Sequence, residues 1–227
     1  MDNLTMKQPG PQTHLTGPSY GPVSGEQPKN LVVLLHGYGA NGNDLMELGK
    51  QWAPILPQTL FVAPDAPFAC EVNPFGYQWF GLQDFDGERI LQEIEQTVIP
   101  FLGEFLQTIK DAYHLEWNQI ILVGFSQGTM LALASGLSSF PVGGVLGYSG
   151  VFPEAFGSHI KYSPPICLVH GDQDEVIPLK SFDASVETLR RAGLKLEHIV
   201  YQGVGHAICP SGFTKGLGFL KGCLDVS

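Results

Sequence analysis

Residues 120–137 read IILVGFSQGTMLALASGL. The opening IILV is apolar and rich in branched side chains, which suits a strand buried on both faces of a parallel sheet. The closing TMLALASGL reads as a helix. Between them, Gly124-Phe125-Ser126-Gln127-Gly128 fits G-x-S-x-G in the strand–turn–helix setting that motif requires. The turn is sharp and strained, so the serine hydroxyl stands clear of the sheet. Gly124 and Gly128 bring no side chain to collide with the neighbouring strand and helix. The helix N-terminus aims its free N–H groups at the reacting centre. A chain with 28 glycines can produce such a pentapeptide by chance, and the strand before it and the helix after it are what weigh against chance.

Outward from this turn, the same alternation extends over most of the chain. LVVLL (31–35) and TLFVAP (59–64) are apolar strand candidates, and a helix at 43–52 lies between them. A short edge strand is expected near 20–23. Residues 65–86 form a long aromatic loop carrying Phe68, Phe75, Tyr77, Trp79, Phe80 and Phe85, and a loop that long in a compact domain is usually functional. Over 88–113, Ile90, Ile94, Val98, Phe101, Phe105 and Ile109 share one helix face, with a kink expected at Pro100. Further strands are predicted at 145–148, 166–169 and 196–201, a helix at 179–189, and a weak, glycine-rich helix at 211–224. Alternating strands and helices argue for an α/β sandwich with a mostly parallel sheet. Ligands bind such sheets beyond the carboxyl ends of the strands, where every motif here falls. Residues 1–17, rich in Pro, Gly and Gln, read as a flexible N-terminal arm, and 18–227 as one domain.

Composition narrows the class. The 227 residues hold 12 Lys+Arg against 22 Asp+Glu, a formal net charge of −10. An acidic chain repels nucleic-acid phosphate and anionic membrane surfaces, so neither is an expected partner. No apolar run is long enough to span a bilayer, so no stable membrane insertion is expected. The N-terminus shows no secretory signal. Four scattered cysteines without a C-x-x-C pair argue against zinc and thioredoxin-type sites and suit reduced thiols in a cytoplasmic protein.

A serine at its ordinary pKa needs a base, and in this architecture the partners follow in the order acid, then histidine. Downstream lie His159, His170, His198 and His206. His159 sits in an irregular stretch, His170 precedes the carboxylates and His198 lies inside a strand. His206, after the last strand in YQGVGHAI, is the best-placed base. The loop HGDQDEVIP offers Asp172, Asp174 and Glu175. Position slightly favours Asp174, and Asp172 also reads as a turn residue bonding its own backbone. The oxyanion hole needs two preorganised donors. The backbone N–H of Gln127 is one, and the loop HGYGANG supplies the other through the backbone of Tyr38.

That loop has a rival reading. Gly37-Tyr38-Gly39-Ala40-Asn41-Gly42 fits G-x-G-x-x-G after a strand, with Asp65 beyond the next strand, as in a dinucleotide-binding fingerprint. The rival leaves GFSQG, HGDQDEVIP and GVGHAI unused.

Taken together, LVVLLHGYGANGNDL, PFGYQWF, LVGFSQGTM, HGDQDEVIP and GVGHAI resemble the phospholipase/carboxylesterase branch of the α/β-hydrolases, which also contains acyl-protein thioesterases. The resemblance runs from about residue 18 to the C-terminus and is greater to the bacterial esterases. It implies an α/β-hydrolase fold, with Ser126 as nucleophile, Asp174 as acid and His206 as base. It places the oxyanion donors at the Tyr38 and Gln127 backbones and implies no metal and no organic cofactor. Family members often form homodimers. The eukaryotic thioesterases carry H-G-L-G-D where this chain has His36-Gly37-Tyr38-Gly39-Ala40, so the bulkier Tyr38 is expected to reshape the acyl site. The expected reaction is hydrolysis of small acyl esters of short to medium chain, with lysophospholipids and acylated proteins as further substrate classes. Phe75, Trp79, Phe80 and Leu82, with Val176 and Ile177, are the candidate substrate walls.

Overall fold

Alternate residues of the strand Asn30–Leu35 enter two different cores. Leu31, Val33 and Leu35 join one and Val32 and Leu34 the other, all five fully buried. A strand covered on both faces has no polar side to show, which is why its sequence is continuous and not alternating. The structure, a computed structural model, describes residues 14–82 and 87–224.

In chain order the elements are β1 (Ser19–Tyr20), β2 (Asn30–Leu35), α1 (Gly42–Trp52), β3 (Thr59–Val62), β4 (Phe68–Ala69), β5 (Tyr77–Gln78), α2 (Gly87–Glu93), α3 (Ile99–Tyr113), β6 (Ile120–Phe125), α4 (Gln127–Ser138), β7 (Gly144–Tyr148), β8 (Ile166–Gly171), α5 (Leu179–Arg191), β9 (Leu196–Tyr201) and α6 (Pro210–Cys223). Seven strands form one sheet in the order β1-β3-β2-β6-β7-β8-β9. All neighbours are parallel except β1, which runs antiparallel to β3 at one edge. Helices α2 to α5 pack on one face, through residues such as Ile90, Leu102, Leu131 and Phe182. Helices α1 and α6 pack on the other through Met46, Trp52, Phe219 and Leu220. Each large apolar side chain buried this way contributes about 1.5–3 kcal/mol. This is the α/β-hydrolase architecture that the sequence predicts.

Three local differences from the sequence reading have physical causes. The helix expected over 88–113 is interrupted by a π turn at Ile94–Val98, just before Pro100 in the first turn of α3. Ile99 N–H donates to Ile94 O, one residue wider than an α-helical bond, and the next residue, Pro100, has no N–H to donate. The long loop after β3 contains the hairpin β4–β5; its Phe85 lies outside the described residues. Of the expected arm, residues 1–13 also lie outside them. Residues 14–18 run along the end of β3: Leu15 is buried, and Thr16 and Pro18 carbonyls accept the N–H groups of Asp65 and Ala63.

Candidate active site

Two strand pairings bring the motifs together. β2 and β6 are central neighbours, with Leu35 opposite Gly124, so the loops leaving them at 36–41 and 125–127 start side by side. β8 and β9 are paired with Gly171 opposite Tyr201, so the loops at 172–178 and 202–206 also start together. Gln173 N–H donates to Val204 O across that gap at 2.9 Å.

Ser126 occupies the turn between β6 and α4 at φ 55°, ψ −117°. A non-glycine residue held there costs about 1–3 kcal/mol. The turn survives because its surroundings fix it. Ser126 N–H donates to Tyr148 O at 2.9 Å on β7. A Cβ on Gly124 would strike the Gly128 carbonyl, and one on Gly128 the Leu35 carbonyl. Only glycine lets helix, turn and strand approach this closely. The Ser126 hydroxyl stands at the cap position of α4 yet makes no capping hydrogen bond, so it is not consumed by the fold.

Of the candidate histidines, His206 makes a hydrogen bond to Asp174. Its Nδ1 lies 2.8 Å from Asp174 Oδ2, with the Asp174 side chain fully buried and the His206 side chain 21% exposed. The other oxygen, Asp174 Oδ1, accepts from Val176 N–H at 2.9 Å and Ile177 N–H at 2.8 Å. Burial alone would raise the Asp174 pKa. The Ile177 N–H, the His206 partner and the Val176 N–H together outweigh it and hold the carboxyl below its usual range. The His206 ring rests against the Phe125 ring at 4.9 Å between centroids, which places the imidazole beside the residue preceding Ser126.

The remaining alternatives have other partners. Asp172 Oδ1 accepts Gly203 N–H at 2.7 Å and so ties the acid loop to the histidine loop. Glu175 is exposed. His159 pairs with Glu95, and His198 lies beside Arg190 on the exposed face of β9. His170 is buried under the acid loop. Its Nε2 lies 2.9 Å from Ile177 O, the residue whose N–H holds Asp174, and its ring stacks on Phe182.

The candidate oxyanion donors lie on the turns after β2 and β6. Gln127 is the first residue of α4, where a backbone N–H has no partner within the helix. Tyr38 lies in the turn after β2, which is zipped to the hairpin: Gly39 N–H donates to Tyr77 O, Tyr77 N–H to Ala40 O, and Asn73 Nδ2 to Gly39 O at 2.7 Å. The Tyr38 phenol donates to Glu71 Oε2 at 3.3 Å, so the ring turns toward the hairpin. Burial, with the Cys70 thiol and the Glu71 carboxylate nearby, pushes its pKa up.

The sequence reading assigned Gln127 only a backbone role. Its buried side chain also clamps the aromatic loop, accepting from Trp79 N–H at 2.9 Å and donating to Phe80 O at 2.8 Å. The Trp79 indole donates to His36 O at 2.9 Å. His36 Nε2 accepts Ala66 N–H at 3.0 Å, and burial lowers its pKa and keeps it neutral. The structure therefore places Trp79 and Phe80 at 0% exposure in the core, where they support the loop and present no surface to a substrate. Phe75 and Val176 are exposed, and Leu82 and Ile177 half-buried. Asp65, the acid of the dinucleotide fingerprint, is occupied by Gly42 N–H at 2.7 Å.

Among the described residues no group of three or more His, Cys, Asp or Glu side chains could hold a metal ion, and no helix is long and apolar enough to cross a membrane. A groove of about 900 Å³ lies between α6 and β9 toward the opposite end of the sheet, at Pro165 and Lys195. A smaller cleft of about 210 Å³ adjoins Gly37 and Phe125.

Comparison with known proteins gives the family. Residues 23–224 match the Phospholipase/Carboxylesterase family model. Esterase YpfH of Escherichia coli K12 is 29% identical over 188 residues, covering 79% of this chain and 77% of that protein. Acyl-protein thioesterase 1 of Kluyveromyces lactis is 30% identical over 168 residues, covering 67% and 72%. The crystal structure of esterase PE8 superposes with a TM-score of 0.86 at 39% identity, covering 93% of this chain and all of that one. With its motifs gathered at the carboxyl ends of β2, β6, β8 and β9, the chain belongs to the phospholipase/carboxylesterase family of α/β-hydrolases and is a carboxylic ester hydrolase.

Proposed function

We propose that the protein is a serine carboxylesterase that hydrolyses short- to medium-chain acyl esters through Ser126, His206 and Asp174. What supports this reading is a strained serine at the turn after β6 whose hydroxyl makes no capping bond, together with a histidine beyond β9 whose Nδ1 is bound to a buried carboxylate. His206 Nε2 takes the Ser126 proton as Oγ attacks the ester carbonyl. Asp174 keeps the proton on Nδ1 and stabilises the imidazolium that forms. The oxyanion is received by the Tyr38 and Gln127 N–H groups, each worth about 3 kcal/mol in the transition state. The alcohol leaves with the proton from His206, and water then attacks the acyl-enzyme by the same route. The apolar side chains Phe75, Leu82, Val176 and Ile177 suit an acyl chain more than a charged substrate.

Ser126→Ala is expected to fold as the parent does and to lose at least about a thousandfold in kcat. Measurement on a short-chain aryl ester checks this, with fluorophosphonate labelling mapped to Ser126 by mass spectrometry. Parent-like turnover by the variant would sink the assignment. A second reading, acyl-protein thioesterase, is favoured by the relatives named for that activity. A chain-length series on matched oxyesters and thioesters separates the two.

A further inference from the structure

The cleft beside Gly37 borders the loops after β2 and β6 and the segment just after His206. Gly37 precedes the Tyr38 donor, Phe125 precedes the nucleophile and Ile208 follows the base by two residues; buried His36, with Ala40, Asp44 and Leu45, completes the wall. Gly37 is what opens the cleft toward the chemistry. A Cβ there would lie 3.2 Å from Phe125 Cδ1 and 3.3 Å from Ser126 Cβ, so the Gly37 side of the cleft lies directly against Ser126.

An ester has two arms that diverge from the reacting carbon. With the oxyanion held between Tyr38 and Gln127, the arms leave in different directions. The arm that departs as alcohol takes its proton from His206, so its oxygen sits on the His206 side. That side is the cleft, because the Phe125 ring that lines it is the ring touching His206. The acyl arm is left with the opposite side, where the Tyr38 ring turns toward Glu71 on the hairpin.

Resting on the esterase reading, we infer that this cleft is the subsite for the alcohol arm of the substrate and that it takes an apolar alcohol bearing no negative charge. Leu45, Phe125, Ile208 and Ala40 supply the apolar lining. The one charged wall residue is Asp44, an exposed carboxylate, and Asp65 is close by on Gly42 N–H. Two carboxylates in this position repel a phosphate-bearing or carboxylate-bearing alcohol.

The test fills the cleft from two separate elements, with Ile208→Trp at its rim and Ala40→Leu on the oxyanion loop. Purified variants and parent are assayed on acetate esters of methyl and benzyl alcohol, and on methyl esters of acetate and hexanoate. Folding is checked by circular dichroism, and one folded variant suffices. The benzyl-to-methyl ratio of kcat/KM is expected to fall about tenfold while the hexanoate-to-acetate ratio holds. Asp44→Asn is expected to raise the relative rate on the acetate ester of glycolate about threefold over its benzyl counterpart. Loss confined to the acyl ratio, or no change in either ratio, overturns the subsite assignment. A parent with no fluorophosphonate-sensitive ester hydrolysis instead defeats the esterase reading itself, and that outcome is visible before any variant is made.

Discussion

At residue scale, the His206–Asp174 contact depends on which atom accepts. Both Asp174 oxygens are committed, Oδ1 to two backbone N–H groups and Oδ2 to His206. Asp174→Asn keeps the size and one acceptor but replaces the other with an N–H₂ donor or rotates to lose the loop bonds. Either way the imidazole is no longer held with its proton on Nδ1. We expect kcat to fall about 10³–10⁴-fold with little change in KM, measured by steady-state kinetics on a short-chain ester. Equal loss in kcat and gain in KM with unchanged pH dependence would instead point to a binding role. Asp172 stands two residues away in the same loop, and position in the sequence separates the two acids only slightly. The structure separates them, since Asp172 spends its carboxylate on Gly203 N–H.

At the scale of elements, the Gln127 side chain links the start of α4 to the aromatic loop. It is 3% exposed and satisfies the Trp79 N–H and the Phe80 carbonyl. Gln127→Ala leaves both backbone groups buried and unpaired. The expected cost is about 2–4 kcal/mol of stability, read from denaturant midpoints. Loosening of the loop should also reduce activity, although the Gln127 N–H itself is unchanged. Glycine in α6 is a second lesson at this scale. Its four glycines make the helix weak on propensity, yet a Cβ on Gly216 would strike the Tyr148 hydroxyl on β7. The residue that weakens the helix in isolation is the one that lets it seat on the sheet.

At the scale of the whole molecule, stability should carry the imprint of its buried titratable groups. His36 and His170 are both held below the ordinary histidine value of 6.5, burial being the main cause in each. Their unfolded counterparts protonate near 6.5 while the folded rings stay neutral. The unfolded state therefore binds more protons as pH falls, and stability declines on the acid side of 6.5. Asp174, held below its usual range, adds stability that is lost only at more acidic pH. Urea midpoints measured from pH 8 to pH 5 check this. His170→Gln, which cannot protonate, should lower the plateau and flatten the slope, and an unchanged slope would count against His170 as a source. The parallel sheet and the strained turn at Ser126 were legible in the chain, because short-range patterns carry them: apolar runs buried on both faces, and glycines where backbones meet. The pairing of Asp174 with His206, the occupation of Asp172 and Asp65 by backbone N–H groups, the burial of Trp79 and Phe80, and the cleft beside Gly37 were decided only by tertiary structure. They follow from the register of β2 on β6 and of β8 on β9, which brings together loops dozens of residues apart, and no local pattern encodes that distance.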